Sequence, residues 1–562
     1  MQKIRNADAV RWEISLLRES NESEESLTLY DYLPQEPIDM LVVLTVIGMA
    51  FYYIWRATYL TPWYDELYTY YYFISRGPVY AAIHWPLPNN HVGYSVLSSL
   101  LDMFGNSYIG LRGVSFICAV VNPLLVYRLS KKFMEDWYSY VAMLLYFCCM
   151  LVNDLSIQGR GYTLGCTCFL LVLRQLTLIC RSEEFKLIDY ILFGIFLILG
   201  LYTLPSSIYW VIPSCCAAAF FLIVNGYRSY DFKGSVWNTR YFKRLKNCII
   251  TGLISAVIVF GLYLVIWLAV GSNLLVKDEA SIYFGMSHVK LILTHPLAAA
   301  KEGLDYMLSQ PYIQSVSRIG YMQSFVEWCK SLCSYMYPGF NVVTLFLSIC
   351  ALIILIAECI RHFENSRTIF NLLMIFNIIG YPIMLIIQAK LPYYRVFSYV
   401  GVLSAISFAY VLEHLSRMAR QIIRNTSNSP VARNIFATVP VIGIFIFVIF
   451  MMTKHEYNAQ YGQRETNCYN ALYIAHPSWN KNICALDCDQ QYLLKFGWGI
   501  ECENTDVTDC DYILIDRNMM EEGYTGSDYW KFYVNYETIP WDYVNSHYYI
   551  FYENEDFVLY KR

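Results

Sequence analysis

Tyr64-Asp65-Glu66-Leu67-Tyr68 follows directly after the first long apolar run of the chain, at the point where a segment of membrane-spanning length ends. A second polar stretch, Asn89-Asn90-His91, comes shortly before the sequence turns apolar again. Charge at a membrane edge is costly to bury, so ionisable residues there are functional candidates by default. We interpret this loop as the catalytic edge of a membrane enzyme and the remaining chain as its scaffold.

The composition excludes most soluble classes of protein. Of the 562 residues, 57% are hydrophobic and only 15% are charged, whereas a soluble protein carries about 25% charged residues. A net charge of −4 gives no reason to expect nucleic acid. Repeated apolar stretches of roughly 18 or more residues predict an all-α polytopic membrane protein.

About eleven membrane-spanning helices are expected, in a transmembrane domain over residues 38–452. Residues 1–37 form a polar tail, and the first span is expected to remain as a signal anchor. The predicted spans are Ile38–Arg56, Tyr108–Leu129, Tyr138–Leu155, Tyr162–Cys180, Leu187–Thr203, Ile208–Val224, Cys248–Val270, Val342–Ile360, Ile369–Ile387, Val396–His414 and Ile435–Met452.

The distribution of Lys and Arg orients these spans. Basic residues are concentrated in the tail and in alternate connections, and the positive-inside rule places that side in the cytoplasm. The N-terminus is then cytoplasmic and the C-terminus extracytoplasmic, in a multi-pass protein of the plasma membrane. The candidate loop and the segment Gly271–Phe340 fall outside, and within that segment Ser281–Leu308 has the mixed character of a surface helix.

Residues 453–562 are polar and rich in tyrosine, and they predict a small extracytoplasmic α/β domain. Tyr548–Tyr552 and Phe557–Tyr560 flank an acidic turn, which indicates a terminal hairpin. The spacing of Cys484 and Cys488 resembles half of a zinc site, but no second pair completes it. On an oxidising side, disulfides are favoured over metal, and their pairing is left open. The cysteines of this region are Cys468, Cys484, Cys488, Cys502 and Cys510.

Asp65 and Glu66 admit two interpretations. A carboxylate in a half-buried cleft can act as a general base, or bind a sugar or a metal. An acidic pair at the start of a helix also favours the helix dipole without any catalytic role. Asn90 and His91 are similarly ambiguous, because Asn is a good turn and cap residue and a lone His more often packs than binds a ligand.

Two further outer loops carry cations that the positive-inside rule does not explain. Gln158-Gly159-Arg160-Gly161-Tyr162 supplies an arginine whose planar guanidinium suits a phosphate. Snorkelling, or a pair with Asp154 one helical turn earlier, is the alternative. Lys390 and Arg395 lie in the other loop. Together these cations predict a positive pocket near a carboxylate, as transfer from a lipid-linked phosphate requires.

These loops, in this order, resemble the GT-C glycosyltransferases, in particular the bacterial and archaeal relatives of the protein O-mannosyltransferases and of the lipid A aminoarabinose transferase. The chain lacks the prolines of that family's stretch before the second span, has Gly159 in place of a frequent acidic residue, and has no His after Thr203. The matching segments are Asp65-Glu66, Asn89 to Leu97, Gly110 to Val114, Gln158 to Tyr162, Leu201 to Thr203 and Tyr393 to Phe397.

The resemblance implies inverting transfer of a sugar from a polyprenyl-phosphate donor. It implies that Asp65 is the catalytic base or orients the acceptor. The sugar or acceptor would be lined by Glu66, Asn90, His91, Gln158 and Tyr162. The phosphate would be held by Arg160, Lys390 and Arg395. No metal is obligatory for such a leaving group, although a divalent cation remains possible.

The sequence therefore predicts an integral-membrane glycosyltransferase whose acceptor is a cell-surface glycan, a lipid or a protein. Two alternatives remain. A lipid-linked sugar flippase or transporter would place charges near mid-span, and Asp102 and Asp154 leave room for that. A non-catalytic partner in polysaccharide assembly would share the helical frame, and Gly159 or the missing His would suit it.

Overall fold

The computed structural model describes residues 34–562 except 35, 85–89, 183, 231–234, 270–293, 296, 299–319, 362, 364–366, 427–429, 476–481, 503–505 and 521–538. The contacts reported below lie within residues 50–562. Nearly all of the expected surface helix Ser281–Leu308 and of the N-terminal tail lies outside the described residues.

Helices dominate the described part of the chain. The described residues of each predicted span are mostly helical, which confirms the expected all-α membrane architecture. In chain order the helices are α1 Pro37–Tyr59, α2 Tyr64–Tyr72, α3 Pro78–Ile83, α4 Val92–Asp102, α5 Ser107–Lys131, α6 Asp136–Cys148, α7 Met150–Leu155, α8 Tyr162–Arg181, α9 Leu187–Thr203, α10 Ile208–Arg228, α11 Arg240–Ala269, α12 Tyr321–Met336, α13 Asn341–Arg361, α14 Thr368–Gln388, α15 Ser398–Thr426, α16 Pro430–Met452, α17 Gln463–Ala475, α18 Cys488–Trp498 and α19 Trp541–His547.

Eight helical stretches among the described residues are long and apolar enough to cross a membrane. Leu187–Thr203 and Val439–Met452 are shorter apolar helices. The predicted span Tyr138–Leu155 is divided in two, because Cys149 has an extended backbone between α6 and α7. That break turns the residues after it away from the axis of α6.

The interior of the bundle is built around α8 and α15. In their most apolar windows, 78% of the residues from Tyr162–Arg181 and 89% of those from Tyr394–Ile422 are buried, against 17% for Arg240–Ile266. Helices with so little burial present their apolar side chains outward, as lipid-facing helices do. The two central helices begin beside the loops that contain Arg160 and Arg395, so those loops are attached to the most buried helices of the bundle.

The C-terminal region contains a four-stranded mixed sheet. Its strands are β1 Ile483–Ala485, β2 Tyr512–Asp516, β3 Tyr549–Glu553 and β4 Phe557–Lys561, in the order β1-β2-β4-β3. β1 runs parallel to β2, β4 pairs antiparallel with both β2 and β3, and the β3–β4 pair is the terminal hairpin that the sequence predicts. β2 is buried along its whole length, as expected for a strand with a neighbour on each side.

This small sheet region is joined to α2 through aromatic side chains on α18. Asp487 caps the start of α18 by accepting the Gln490 N–H, and Gly499 ends the helix with a φ of +70°. The Tyr492 ring lies 4.8 Å from the Tyr71 ring and 5.9 Å from the Tyr64 ring, centroid to centroid. The C-terminal region therefore covers the side of α2 that carries Tyr64 and Tyr71.

Candidate active site

Asp65 lies in the first turn of α2 and pairs with Arg395. Its Oδ2 atom is 3.1 Å from Nη2 of the arginine, and the two side chains are 22% and 24% exposed. The guanidinium also packs over the rings of Trp63 and Tyr393, 5.1 and 4.6 Å from their centroids. This ion pair is half-buried and accessible, so its carboxylate can exchange the arginine for another partner.

Glu66, the next residue, is fully buried and its oxygens are used within the protein. Nε and Nη2 of Arg112 each donate to one carboxylate oxygen over 2.9 Å, and the Gly159 N–H donates to Oε1 over 2.6 Å. Nη1 of Arg112 continues to the carbonyls of Ala57 and Leu60. The geometry favours a scaffold role for Glu66 over the contact with substrate that the sequence predicts.

His91 is held in one tautomer. Its Nδ1 atom accepts the Gly161 N–H over 2.9 Å, and a nitrogen that accepts carries no proton. Burial lowers the pKa of the imidazole well below its ordinary 6.5, and Arg160 and Arg395 act in the same direction. The ring is therefore neutral at physiological pH, with its proton on Nε2.

That Nε2–H group adjoins a second donor. Nε2 of His91 is 3.3 Å from Nη2 of Arg160, and a guanidinium has no acceptor atom. Arg160 reaches α2 through Nη1, which donates to Thr69 Oγ1 over 2.6 Å and to the backbone oxygen of Asp65 over 3.3 Å. Two donors that adjoin in this way can share one anionic oxygen, and one of them, Arg160, contacts the backbone of Asp65.

Tyr162 and Gln158 adjoin these donors. The Tyr162 ring meets the His91 ring edge-on with centroids 4.9 Å apart, and its side chain is hydrogen-bonded to Arg395. Gln158 is buried, and its Oε1 atom has no hydrogen-bond partner among the described residues. A buried amide oxygen without a partner is costly, which makes it a candidate to accept a ligand hydroxyl.

Asn90 is fully engaged in local structure. Nδ2 donates to the carbonyls of Ala81 and His84 over 3.0 Å each, and Oδ1 accepts the Ser95 hydroxyl over 2.7 Å. This arrangement corresponds to the turn-and-cap alternative. Asn90 fixes the start of α4 and thereby the position of His91, the residue that follows it.

Lys390 lies in the loop before Arg395. Two side chains of α12 hold the backbone of this loop. The Tyr321 hydroxyl donates to the Lys390 carbonyl over 3.1 Å, and Trp328 Nε1 donates to the Pro392 carbonyl over 2.9 Å. The Lys390 side chain is buried, and burial lowers the pKa of its ammonium group. A cation placed in a loop of fixed shape can take part in phosphate binding with little loss of entropy.

Asp154 does not pair with Arg160, contrary to the alternative left open by the sequence. Its Oδ1 atom is 3.1 Å from Arg56 Nη2, and the Tyr335 hydroxyl donates to Oδ2 over 3.3 Å. The physical reason is that α7 ends at Leu155, so the two residues do not share a helix face. From the sequence, no role is predicted for Arg56 or Arg112. Their signal in the sequence is a charge inside or at the end of an apolar span.

The C-terminal cysteines do not form a zinc site in the described residues, which contain no group of three or more His, Cys, Asp and Glu side chains placed to hold a metal ion. Cys488 contacts the Tyr64 hydroxyl, whereas Cys484 is hydrogen-bonded to Cys510. The half-site spacing of Cys484 and Cys488 therefore reflects the strand-to-helix turn of this region.

A known protein family matches the segment of the sequence that contains four residues of this site. Residues 92–238 match the family model described as dolichyl-phosphate-mannose-protein mannosyltransferase. The matched segment contains Arg112, Gln158, Arg160 and Tyr162, while Asp65 and the other candidate residues lie outside it. No curated protein matches the sequence.

Among solved structures, the chain is similar to the archaeal oligosaccharyltransferase AglB from Archaeoglobus fulgidus in complex with an inhibitory peptide and a dolichol-phosphate. The TM-score is 0.46 at 12% identity, covering 85% of this chain and 69% of that chain. The apo form of the Archaeoglobus fulgidus enzyme gives 0.45 at 11% identity, covering 76% and 57%. The family match confirms, over residues 92–238, the resemblance of this multi-pass membrane protein to the GT-C glycosyltransferases.

Proposed function

We propose that this chain moves a sugar from a polyprenyl-phosphate donor to an acceptor outside the cytoplasm, with inversion at the sugar. One observation carries the proposal: three groups that bind anions are linked at Asp65. The accessible carboxylate of Asp65 pairs with the guanidinium of Arg395, the backbone oxygen of Asp65 accepts from Arg160, and Arg160 adjoins the Nε2–H of His91. The reaction requires a base beside a site for a phosphate.

Asp65 accepts the proton of the acceptor hydroxyl as the acceptor oxygen forms a bond to the anomeric carbon. The bond between that carbon and the phosphate oxygen breaks on the opposite face, and its electron pair leaves with the phosphate. Arg395, Arg160 and His91 stabilise the charge that develops on that oxygen. Lys390 contributes further positive charge from the neighbouring loop. Each step uses side chains of this chain alone.

The remaining candidates shape the site. Gln158 and Tyr162 line the sugar or acceptor, with the Gln158 amide oxygen as an acceptor for a hydroxyl group. Glu66 and Asn90 have structural roles: Glu66 fixes α2, and Asn90 fixes the start of α4, where His91 lies. The acceptor is a cell-surface glycan, a lipid or a protein, and the topology we propose has a cytoplasmic N-terminus and an extracytoplasmic C-terminal region.

The alternatives receive no specific support. Asp154, which left room for a transporter, is paired with Arg56. Gly159, which would suit a relative that has lost catalysis, is explained by packing. Its N–H donates to Glu66, and a side chain at this position would meet Leu111. Neither feature favours transport or loss of catalysis.

The test is release of polyprenyl phosphate by the purified full chain from a panel of polyprenyl-phosphate sugars. Asp65→Asn is expected to lower turnover by about 10²- to 10⁴-fold, the usual contribution of a general base, with donor binding retained. Asp136→Asn is the matched control, since Asp136 pairs with Lys131 at the end of α5 that is remote from Arg112. Equal turnover by Asp65→Asn and wild type would remove Asp65 as the base. Failure of the wild type to bind any donor would overturn the proposed function and direct attention to transport.

A further inference from the structure

The loop that leads into α2 is held by a segment far away in the sequence. We call residues 457–465 the strap, because they run from the end of the last apolar helix, α16, into α17. Tyr457 and Tyr461 attach the strap to the bundle. The Tyr457 hydroxyl donates to the Cys148 carbonyl, and the Tyr461 hydroxyl donates to the Asp154 carbonyl over 2.8 Å.

Two strap side chains bind the backbone of the loop before Asp65. Oε1 of Gln460 accepts the Thr61 N–H over 3.0 Å, while its Nε2 donates to the Tyr59 carbonyl over 3.3 Å. Oε1 of Glu465 accepts the Tyr64 N–H over 3.2 Å. Glu465 is buried, so this bond is shielded from competing water.

Every backbone N–H of this loop has a partner. Pro62 has no N–H, and each of the other residues from Leu60 to Tyr64 donates to a partner. Two of those four partners belong to the strap. The donor and acceptor pairs are Leu60 to the Arg56 carbonyl, Thr61 to Gln460, Trp63 to the Glu66 carboxylate and Tyr64 to Glu465. Loss of a strap acceptor therefore leaves a loop N–H without its protein partner and removes a contact that holds the loop in place.

The strap is itself rigid at the end that contacts Tyr64. Arg464 forms ion pairs with Asp487 and Asp516, which anchor α17 to the sheet region. A Cβ atom on Gly462 would lie 2.0 Å from Oε2 of Glu465, so the glycine leaves the space that this carboxylate occupies. The carboxylate is thus presented to α2 from a fixed support.

We propose that Gln460 and Glu465 are positioning residues: they hold the loop at Tyr59–Tyr64 and thereby set the placement of Asp65 against Arg395. The inference rests on the proposed role of Asp65. It extends the site to a segment that neither the motif pattern nor the family match includes, since the match ends at residue 238.

The experiment compares Gln460→Ala, Glu465→Ala and Glu465→Gln with Gln463→Ala, all in the full-length chain. Gln463 is an exposed glutamine at the start of α17 and bonds Asn467, so it is the matched control. Backbone hydrogen exchange over residues 60–69 is measured first, because it requires no activity. Exchange is expected to accelerate in both alanine variants of the positioning residues and to stay at the wild-type level in Gln463→Ala and Glu465→Gln, whose amide oxygen can still accept the Tyr64 N–H.

Turnover is measured next on the same preparations. The alanine variants are expected to lose about 10- to 100-fold in kcat at unchanged donor KM, because small misplacements of a reacting group have effects of this size. Glu465→Gln is expected to recover most of that loss. Unchanged exchange, or faster exchange with wild-type kcat, would overturn the inference. If wild-type protein turns over no donor, the proposed function fails while the exchange data still decide whether the strap holds the loop.

Discussion

Asp65 and Glu66 are adjacent, and each pairs with an arginine, yet the two pairs lie in opposite surroundings. Glu66 and Arg112 are almost completely buried and joined by two hydrogen bonds of 2.9 Å. Asp65 and Arg395 meet through one contact of 3.1 Å, and about a fifth of each side chain is exposed. Consecutive residues in a helical turn point about 100° apart, so one carboxylate is buried against Arg112 and the other is partly exposed beside Arg395.

The difference in burial assigns a structural role to Glu66 and leaves Asp65 available to a substrate. The Glu66 carboxylate accepts four hydrogen bonds from protein groups, which leaves it no capacity for substrate. Asp65 keeps part of its surface accessible, as the role of base that we propose for it requires. The buried pair thus fixes the helix, and the accessible pair is available for reaction.

Breaking the buried pair should have the largest effect on stability. Glu66→Met leaves the Arg112 guanidinium buried without its counter-charge, and loss of one partner from such a pair costs about 3–5 kcal/mol. Arg112→Met should cost a similar amount. Thermal unfolding in detergent measures both. The double variant should lose less than either single variant, whereas a loss equal to their sum would contradict a coupled pair.

Breaking the accessible pair should leave stability nearly intact and weaken donor binding. Arg395→Gln is expected to change the unfolding free energy by less than about 1 kcal/mol. It removes a charge-assisted hydrogen bond worth about 1.5–3 kcal/mol to a phosphate, which corresponds to roughly a 10- to 100-fold rise in donor KM. Arg420→Gln, which breaks a half-exposed pair with Glu135, is the control. A stability loss as large as that of Arg112→Met would erase the contrast.

Gly159→Ala tests how closely the buried pair is fitted. A Cβ atom there would lie 2.3 Å from the Leu111 side chain and 3.0 Å from the Leu111 carbonyl. Overpacking of this kind costs about 1–3 kcal/mol. Gly443→Ala has open space around it and should stay within about 0.5 kcal/mol of wild type. Equal unfolding temperatures for the two variants would show that the contact with Glu66 tolerates displacement.

The pH dependence of stability should show the smallest effect. The pKa of His91 is lowered in the folded protein, so between that pKa and the ordinary 6.5 the unfolded chain binds more protons than the folded one. Stability is therefore present above pH 6.5 and declines as pH falls below it. His91→Gln should flatten this part of the wild-type unfolding curve. An unchanged slope would show that the ring is not held neutral.

The spans and the terminal hairpin follow from the sequence because apolar length and strand alternation are local properties. That Asp65, Arg160 and Arg395 come together could also be predicted, since their loops lie at the same end of the bundle. The roles of these residues remain predictions. What the sequence shows is which residues share an end of the bundle, which is enough to locate a candidate site.

The partners of individual charges could not be predicted. Glu66 finds Arg112, and Asp154 finds Arg56, because helix rotation and the end of α7 decide which charges face each other. No motif or periodicity in the sequence predicts the contacts of Gln460 and Glu465 with the loop before α2. They arise from tertiary packing between segments hundreds of residues apart, which a local pattern does not encode.

The bond between Tyr64 and Glu465 joins residues 401 positions apart, and this separation affects the order of biosynthesis. At about 5–20 residues per second, a ribosome needs roughly 20 to 80 seconds to make the intervening chain. The spans can enter the bilayer one after another during that time, since each satisfies its own backbone hydrogen bonds. The nascent protein is therefore embedded well before the Tyr64 N–H meets the Glu465 carboxylate, and the loop before α2 takes its final set of hydrogen bonds only after the last span has been made.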